Sequence, residues 1–134
     1  MINKINHIGI AVRSVEEAVK LYTDVLGLEI KEIEVVTDQK VRTAIISVGE
    51  TNIELMEPIG SEGPIAKYLE KRGEGMHHLS LEVSDIEGAL ETMVKNGIPL
   101  VDEKPRIGVG SNRIAFLHPK ATKILIELVE PARR

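Results

Sequence analysis

Four residues of this sequence have the types and the surroundings that metal chemistry requires. Glu127 lies within ILIELV, where its neighbours are aliphatic, and Glu54 lies within NIELM. A buried carboxylate without a partner costs several kcal/mol, so each needs a counterion or must become neutral. Two imidazoles added to two carboxylates form a nitrogen and oxygen set that suits an octahedral divalent transition metal. The residue types therefore predict a metal site formed by His7, Glu54, His78 and Glu127, with two positions left for water or a chelating substrate.

The histidines and the glutamates each recur at nearly the same spacing. The segments NHIGIAV and HHLSLEV place His7 on His78, and the segments IELMEP and IELVEP place Glu54 on Glu127. Two matches in the same order indicate the duplication of a unit of about 70 residues. A single histidine or glutamate on a strand is more often structural or exposed than a ligand. The paired recurrence is what favours a site.

The first unit has the elements that would position its histidine and its glutamate on strands. Alternation over residues 5–12 predicts a strand. Ser14 and Glu17 form a capping-box pattern at the start of a helix, and Gly27 supplies its end. Three further strands are predicted at roughly 28–36, 41–48 and 52–57.

The second unit repeats this order. A strand over residues 76–83 precedes a helix that Asp85 caps and Asn96-Gly97 ends. Three more strands are predicted at roughly 99–102, 112–118 and 123–129.

One domain of 134 residues is expected, with a first module at 1–60, a connecting helix at 61–75 and a second module at 76–134. The order predicts an α+β fold of two tandem βαβββ modules. They would form a curved, partly open eight-stranded sheet with the helices outside, and the inner surface would be a natural ligand site.

Strand alternation decides which of two adjacent histidines is the ligand. His7, Gly9 and Ala11 share one face of the first strand, a face that is small beyond the histidine and leaves space. On the matching strand, His78 shares its face with Ser80.

The two remaining histidines are assigned other roles. His77 is expected to point outward or to support a ligand from behind. His118 precedes Pro119 at a strand end, where a turn or a supporting role is expected.

Composition excludes several classes of function. There is no cysteine, so disulfides, thiolate ligands and cysteine nucleophiles are absent. A net charge of -4 gives no electrostatic reason to expect nucleic acid or an anionic membrane as a partner. The first residues lack the apolar run of a signal peptide, and no stretch approaches the ~20 apolar residues of a membrane span. A cytoplasmic protein is expected.

The segment 103–113, EKPRIGVGSNR, carries three cations and three glycines or prolines that shape a loop. Its backbone amides and cations could contact an anionic substrate, and Lys104 and Arg113 are the candidate contacts. An ordinary flexible loop is an equally good interpretation.

With these residues in view, the sequence resembles the vicinal oxygen chelate superfamily, which includes glyoxalases, bleomycin resistance proteins and dioxygenases. Within it, the chain is most similar to the methylmalonyl-CoA epimerase family. The similarity covers almost the full length and rests on the stretches NHIGIAV, LYTDVLGLE, IELMEP, GPIAKYLEKRGEGMHHLSLEV, NRIAFLHPK and ILIEL.

This resemblance implies an activity, a cofactor and an assembly. It implies that His7, Glu54, His78 and Glu127 bind one divalent ion, typically cobalt, with Mn²⁺, Ni²⁺ or Zn²⁺ as other possibilities. Some relatives have Gln in place of Glu54. It also implies a homodimer that interconverts (R)- and (S)-methylmalonyl-CoA.

The implied reaction is α-proton abstraction through a metal-stabilised enolate. Inversion needs proton removal on one face of the carbon and proton return on the other, so two acid/base groups are the simplest arrangement. Glu127 is one candidate. Some relatives have a second Glu on the third strand, where this chain has Thr43. The second group therefore stays open between a water, Glu54 and a residue that the sequence does not identify.

Three other functions are compatible with parts of this pattern. A glyoxalase I-like lyase acting on a thiol hemithioacetal would use the same ligand types. A ring-cleaving dioxygenase would have one surplus carboxylate and would need iron. A metal-free ligand-binding module would need none of the four residues.

Overall fold

The computed structural model describes residues 1–132, which form eight strands and four α-helices. The strands are β1 (Ile2–Ala11), β2 (Glu29–Val36), β3 (Val41–Val48), β4 (Thr51–Pro58), β5 (Gly75–Val83), β6 (Arg106–Ile107), β7 (Arg113–Leu117) and β8 (Ile126–Glu130). The helices are α1 (Val15–Lys20), α2 (Pro64–Arg72), α3 (Ile86–Lys95) and α4 (Pro119–Thr122).

All eight strands belong to one mixed sheet, in the order β2-β3-β4-β1-β5-β8-β7-β6. Each module contributes one parallel pair, β1 with β4 and β5 with β8, while the outer pairs are antiparallel. The predicted α+β fold of two βαβββ modules is confirmed. By contact density the chain has two compact units, His7–His77 and Met1–Asn6 with the described residues from His78 onward.

In the unit His7–His77, α1 and α2 pack against opposite faces of the strands. Ser14 caps α1 by accepting a hydrogen bond from the Glu17 amide at 3.2 Å, as its sequence predicts. The first cluster, below α1, buries Val12, Val15, Ala44, Ile46 and Leu55. The second cluster, below α2, buries Ala11, Val41, Met56, Ile65 and Leu69.

One prediction for this unit is wrong. The face of β1 beyond His7 is not open at Ala11, because Ile65 and Leu69 of the connecting helix α2 cover it. That helix has apolar residues at helical spacing, and the small Ala11 side chain lets them approach the strand.

In the other unit, α3 packs over an apolar cluster in the same way. Asp85 accepts a hydrogen bond from the Gly88 amide at 3.1 Å and begins the helix. The core below it consists of Val83, Ile86, Ala89, Leu90, Ala115, Leu117, Ile126 and Leu128.

Two predicted strand ranges in this unit need correction. Residues 99–102 form only an isolated bridge from Leu100 to Leu117, and the short strand β6 follows at Arg106–Ile107. Pro99 and Pro105 have no amide hydrogen to donate to a regular ladder. The strand predicted from residue 123 begins at Ile126, because α4 ends in a left-handed turn at Lys123, with φ 72°.

Within residues 1–132, no helix has the length and apolar character that a bilayer span requires.

Candidate metal centre

In the unit His7–His77, a histidine and a glutamate are brought together by a parallel strand pair. In the register of β1 and β4, Gly9 lies opposite Glu54, and His7 is two residues before Gly9 on the same face. The His7 Nδ1 atom is 3.2 Å from Glu54 Oε2. Both residues are at most 5% exposed. The predicted first half of the site is therefore a buried histidine and carboxylate in contact.

Burial of His7 has an electrostatic consequence. Loss of solvent around the imidazole lowers the pKa of His7 to about 4, because the charged form is poorly stabilised there. At neutral pH the ring is neutral and keeps a lone pair. That is the protonation state in which histidine coordinates a metal.

In the other unit, the same register brings a hydroxyl to the second glutamate. Ser80 of β5 lies opposite Glu127 of β8. The Ser80 hydroxyl donates a hydrogen bond of 2.7 Å to Glu127 Oε1. His78 shares the face of Ser80, and its ring meets the Phe116 ring edge-on at 5.7 Å. His78, Ser80 and Glu127 are all buried.

Burial makes Glu127 an unusually weak acid. Desolvation raises the pKa of Glu127 to about 7, although the Ser80 hydrogen bond and the charge of Arg106 favour the ionised form. The Asp102 carboxylate acts in the same direction as desolvation. A carboxyl group with a pKa near neutrality can both accept and release a proton at physiological pH.

The donor set fits a divalent ion. His7, His78 and Glu127 are buried and each offers one ligand atom, so these three could hold a metal ion. Glu54 is not part of that triad and lies beside His7. Imidazole nitrogens and carboxylate oxygens are the donors that divalent transition metals accept.

The two predicted substrate contacts, Arg113 and Lys104, lie in the same unit as His78 and Glu127. Arg113 is ion-paired with Glu87 and with Glu130, the latter at 3.3 Å. Hydrogen bonding to Glu87 is the largest of the effects that raise the pKa of Arg113. Lys104 lines a surface groove beside α3.

The other two histidines are also placed. The His77 ring packs edge-on against Tyr68 of α2 at 5.1 Å, and burial lowers the pKa of His77. The His118 ring accepts a hydrogen bond from the Lys120 amide at 3.0 Å and begins α4. His118 therefore has the turn role, one of the two expected for it.

Comparison with known proteins places this geometry in a family. The sequence matches the glyoxalase/bleomycin resistance protein/dioxygenase superfamily over residues 6–116. The chain belongs to this superfamily. The mitochondrial methylmalonyl-CoA epimerase of Dictyostelium discoideum is 36% identical over 96% of this chain and 79% of its own length.

Solved structures of methylmalonyl-CoA epimerases also match the fold of this chain. A methylmalonyl-CoA epimerase from Mycobacterium tuberculosis superimposes with a TM-score of 0.94 at 39% identity, covering 98% of this chain and 90% of that one. A methylmalonyl-CoA epimerase in complex with methylmalonyl-CoA and NH4+ superimposes with a TM-score of 0.93 at 32% identity, covering 98% and 96%. Methylmalonyl-CoA epimerases of this superfamily are thus similar to this chain in both sequence and structure.

Two residues of the site were not identified from the sequence. The strand pattern predicts that Ser80 shares the face of His78, but its bond to Glu127 depends on the strand register. In the sequence, Arg106 is one of three cations in the loop. In the structure its guanidinium lies 5.5 Å from the centre of the Phe116 ring, and its Nε donates to Asp102 at 3.2 Å. No sequence signal separates Arg106 from the other two cations.

Proposed function

We propose that the chain is a methylmalonyl-CoA epimerase that inverts the α-carbon by proton transfer. The observation that carries this proposal is the buried Glu127, whose Oε1 atom accepts a hydrogen bond of 2.7 Å from the Ser80 hydroxyl. A proton-transferring carboxyl group of this kind suits removal of the weakly acidic α-proton of a thioester. The named epimerases among the relatives supply the substrate class.

The metal ligands in this proposal are His7, Glu54, His78 and Glu127. The neutral imidazole of His7 and the neighbouring Glu54 carboxylate support the first pair. Burial of His78 and Glu127 supports the second pair. The ion, when bound, would act as a Lewis acid that stabilises the negative charge developing on the substrate as its proton leaves.

Glu127 is proposed as one acid/base group, and two features of its surroundings support this role. The Ser80 hydroxyl holds one carboxylate oxygen, which orients the other. Burial excludes water and so strengthens each electrostatic contact of the carboxylate.

Several finer predictions accompany this function. Lys104 and Arg113 remain the predicted substrate contacts, with Arg113 ion-paired to Glu87 and Glu130. Cobalt as the metal, a homodimer and a cytoplasmic location also remain predictions.

The test is the interconversion of single epimers of methylmalonyl-CoA, followed in parallel with turnover of a glutathione hemithioacetal. Chelator-treated protein reloaded with Co²⁺ is expected to epimerise the CoA ester and to leave the hemithioacetal unchanged. The reverse pattern would replace the epimerase by a glyoxalase I-like lyase. Activity on neither substrate, with metal bound, would leave a ligand-binding role.

A further inference from the structure

The third-strand position that carries a Glu in some relatives has no acid/base side chain in this protein. Thr43 stands on β3 where some relatives have Glu, and its side chain is fully buried. A threonine hydroxyl has too high a pKa to act as a general base at neutral pH without activation by another group. The second group is then a water, Glu54 or another residue of the fold.

The strand pairing places a glutamate directly across from Thr43. In the antiparallel register of β2 and β3, Glu34 lies opposite Thr43. Directly opposed residues on neighbouring strands extend to the same face of the sheet, with Cβ atoms about 5 Å apart. Glu34 therefore presents its carboxylate on the same face as Thr43, displaced by one strand.

That face is the one that carries His7 and Glu54. Ala44, the neighbour of Thr43, packs below α1, so Thr43 extends to the opposite face. On β4, Thr43 lies opposite Met56, which shares its face with Glu54 two residues earlier. Val36 follows the same alternation as Glu34 and packs with Met56 below α2.

Two buried polar atoms at this position have no partner. Glu34 Oε2 and Thr43 Oγ1 are both buried and accept or donate no hydrogen bond among the described residues. Such atoms are rare in folded proteins, because each loses its bonds to water without replacement. A catalytic role is one of the explanations for such a group, along with strain and a bound water or ion.

We infer that Glu34 is the second acid/base residue of the proposed epimerase, taking from β2 the role that a third-strand carboxylate would otherwise have. This inference rests on the proposed function. In one direction, the Glu34 carboxylate removes the α-proton from one face and the C–H electron pair moves into the thioester carbonyl. A proton from the group on the other face, which the proposal assigns to Glu127, then forms the new C–H bond as the pair returns to carbon. The reverse reaction, or exchange with water, restores both groups.

The test is epimer-resolved deuterium uptake in deuterated water by metal-loaded Glu34→Gln. With one of two acid/base groups removed, epimerisation should fall at least about 100-fold. One epimer should still take up deuterium at the α-carbon with retention of configuration, while the other stays unlabelled. The wild type should label both epimers with inversion. A loss of packing alone would lower both exchanges together.

Glu32→Gln is the matched control, since Glu32 is an exposed glutamate on the same strand. It should epimerise within about twofold of wild type, and Glu34→Asp should recover part of the activity. The inference is overturned if Glu34→Gln keeps more than about a tenth of the epimerisation rate, or if it loses uptake by both epimers while its melting temperature and metal content are unchanged. Lack of exchange by the metal-loaded wild type would instead reject the epimerase function itself, and the role of Glu34 with it.

Discussion

The two modules place a histidine and a glutamate at matching positions, yet they surround the two glutamates differently. In the first module Glu54 lies opposite Gly9 and contacts the His7 ring at 3.2 Å. In the second, Glu127 lies opposite Ser80 and accepts its hydroxyl at 2.7 Å. The register is the same, and the difference is a hydroxyl at one of two equivalent strand positions.

This difference explains how a duplicated unit can support an asymmetric reaction. Duplication supplies ligand positions in pairs, which suits a metal that needs several donors. Proton transfer needs one carboxyl group that is set apart from its copy. The Ser80 hydroxyl fixes one oxygen of Glu127, and a glycine at the equivalent position can do nothing similar for Glu54. The proposed function therefore gives Glu54 a role in metal binding alone and Glu127 a role in both metal binding and proton transfer.

The largest expected effect separates the two glutamates directly. Glu127→Gln should lower the epimerisation rate on the order of 1,000-fold, because the amide can still offer an oxygen but cannot accept the proton. Glu54→Gln should lower it by less than about tenfold, since an amide oxygen can replace the ligand. Rates are compared at equal metal content. Retention of more than about a tenth of the activity in Glu127→Gln, roughly 1.4 kcal/mol of barrier, would remove Glu127 from the acid/base role.

The pH dependence of stability should differ in sign between the two modules in metal-free protein. Burial raises the pKa of Glu127 from 4.5 to about 7. The contribution of Glu127 to the free energy of unfolding is therefore fully present below pH 4.5 and is lost as pH rises through 7. Burial lowers the pKa of His7 from 6.5 to about 4. The contribution of His7 to the free energy of unfolding is therefore fully present above pH 6.5 and is lost as pH falls through 4.

Urea unfolding of two variants isolates these opposite trends. The stability of Glu127→Gln relative to wild type should increase by on the order of 3 kcal/mol between pH 4.5 and 7. The stability of His7→Asn relative to wild type should increase as pH falls from 6.5 to 4. Differences that do not change with pH in either variant would show that the two residues are not buried in the way described.

A smaller effect is expected from the hydroxyl that distinguishes the modules. Ser80→Ala removes one hydrogen bond to Glu127 and should lower kcat about tenfold, with KM changed by less than about threefold. Ser84→Ala is the matched control, because Ser84 is exposed and bonds to Asn3. Equal kcat values for the two variants would mean that Ser80 does not position the carboxyl group.

The smallest expected effect tests a feature that the modules share. The last glutamate of each IELxEP segment binds the first amide of its module's helix, Glu57 at Val15 and Glu130 at Ile86. Glu57→Ala should reduce the free energy of unfolding by about 1 kcal/mol, as for other lost helix caps, and Glu130→Ala should reduce it by at least as much because it also loses the ion pair with Arg113. Thermal unfolding would measure this, and a cost confined to one module would show that the repeat is not equivalent at this position.

The repeated strands and the two histidine and glutamate pairs could be predicted because they depend on local patterns. Alternation in NHIGIAV and HHLSLEV fixes which side chains share a face, and aliphatic neighbours identify Glu54 and Glu127 as buried. The helices follow from Ser14 and Asp85 at their starts.

What could not be predicted depends on register and on tertiary contacts. The bond from Ser80 to Glu127 and the placement of Glu34 opposite Thr43 require knowledge of how the strands align. The strand predicted at roughly 99–102 is reduced to the bridge from Leu100 to Leu117, which depends on how this segment meets β7. The ion pair of Arg113 with Glu87 joins residues distant in sequence, and the approach of Arg106 to the Phe116 ring depends on the pairing of β6 with β7.

The most direct test of the central claim is α-proton exchange of methylmalonyl-CoA in deuterated water, with chelator-treated protein before and after one equivalent of Co²⁺. The account predicts little exchange without metal and exchange of both epimers after reloading, whereas reloaded Glu127→Gln should exchange no more than one of the two epimers and should not interconvert them. Exchange that is equally fast without metal would contradict the metal centre. No exchange by fully loaded wild-type protein would contradict the proton-transfer role of Glu127.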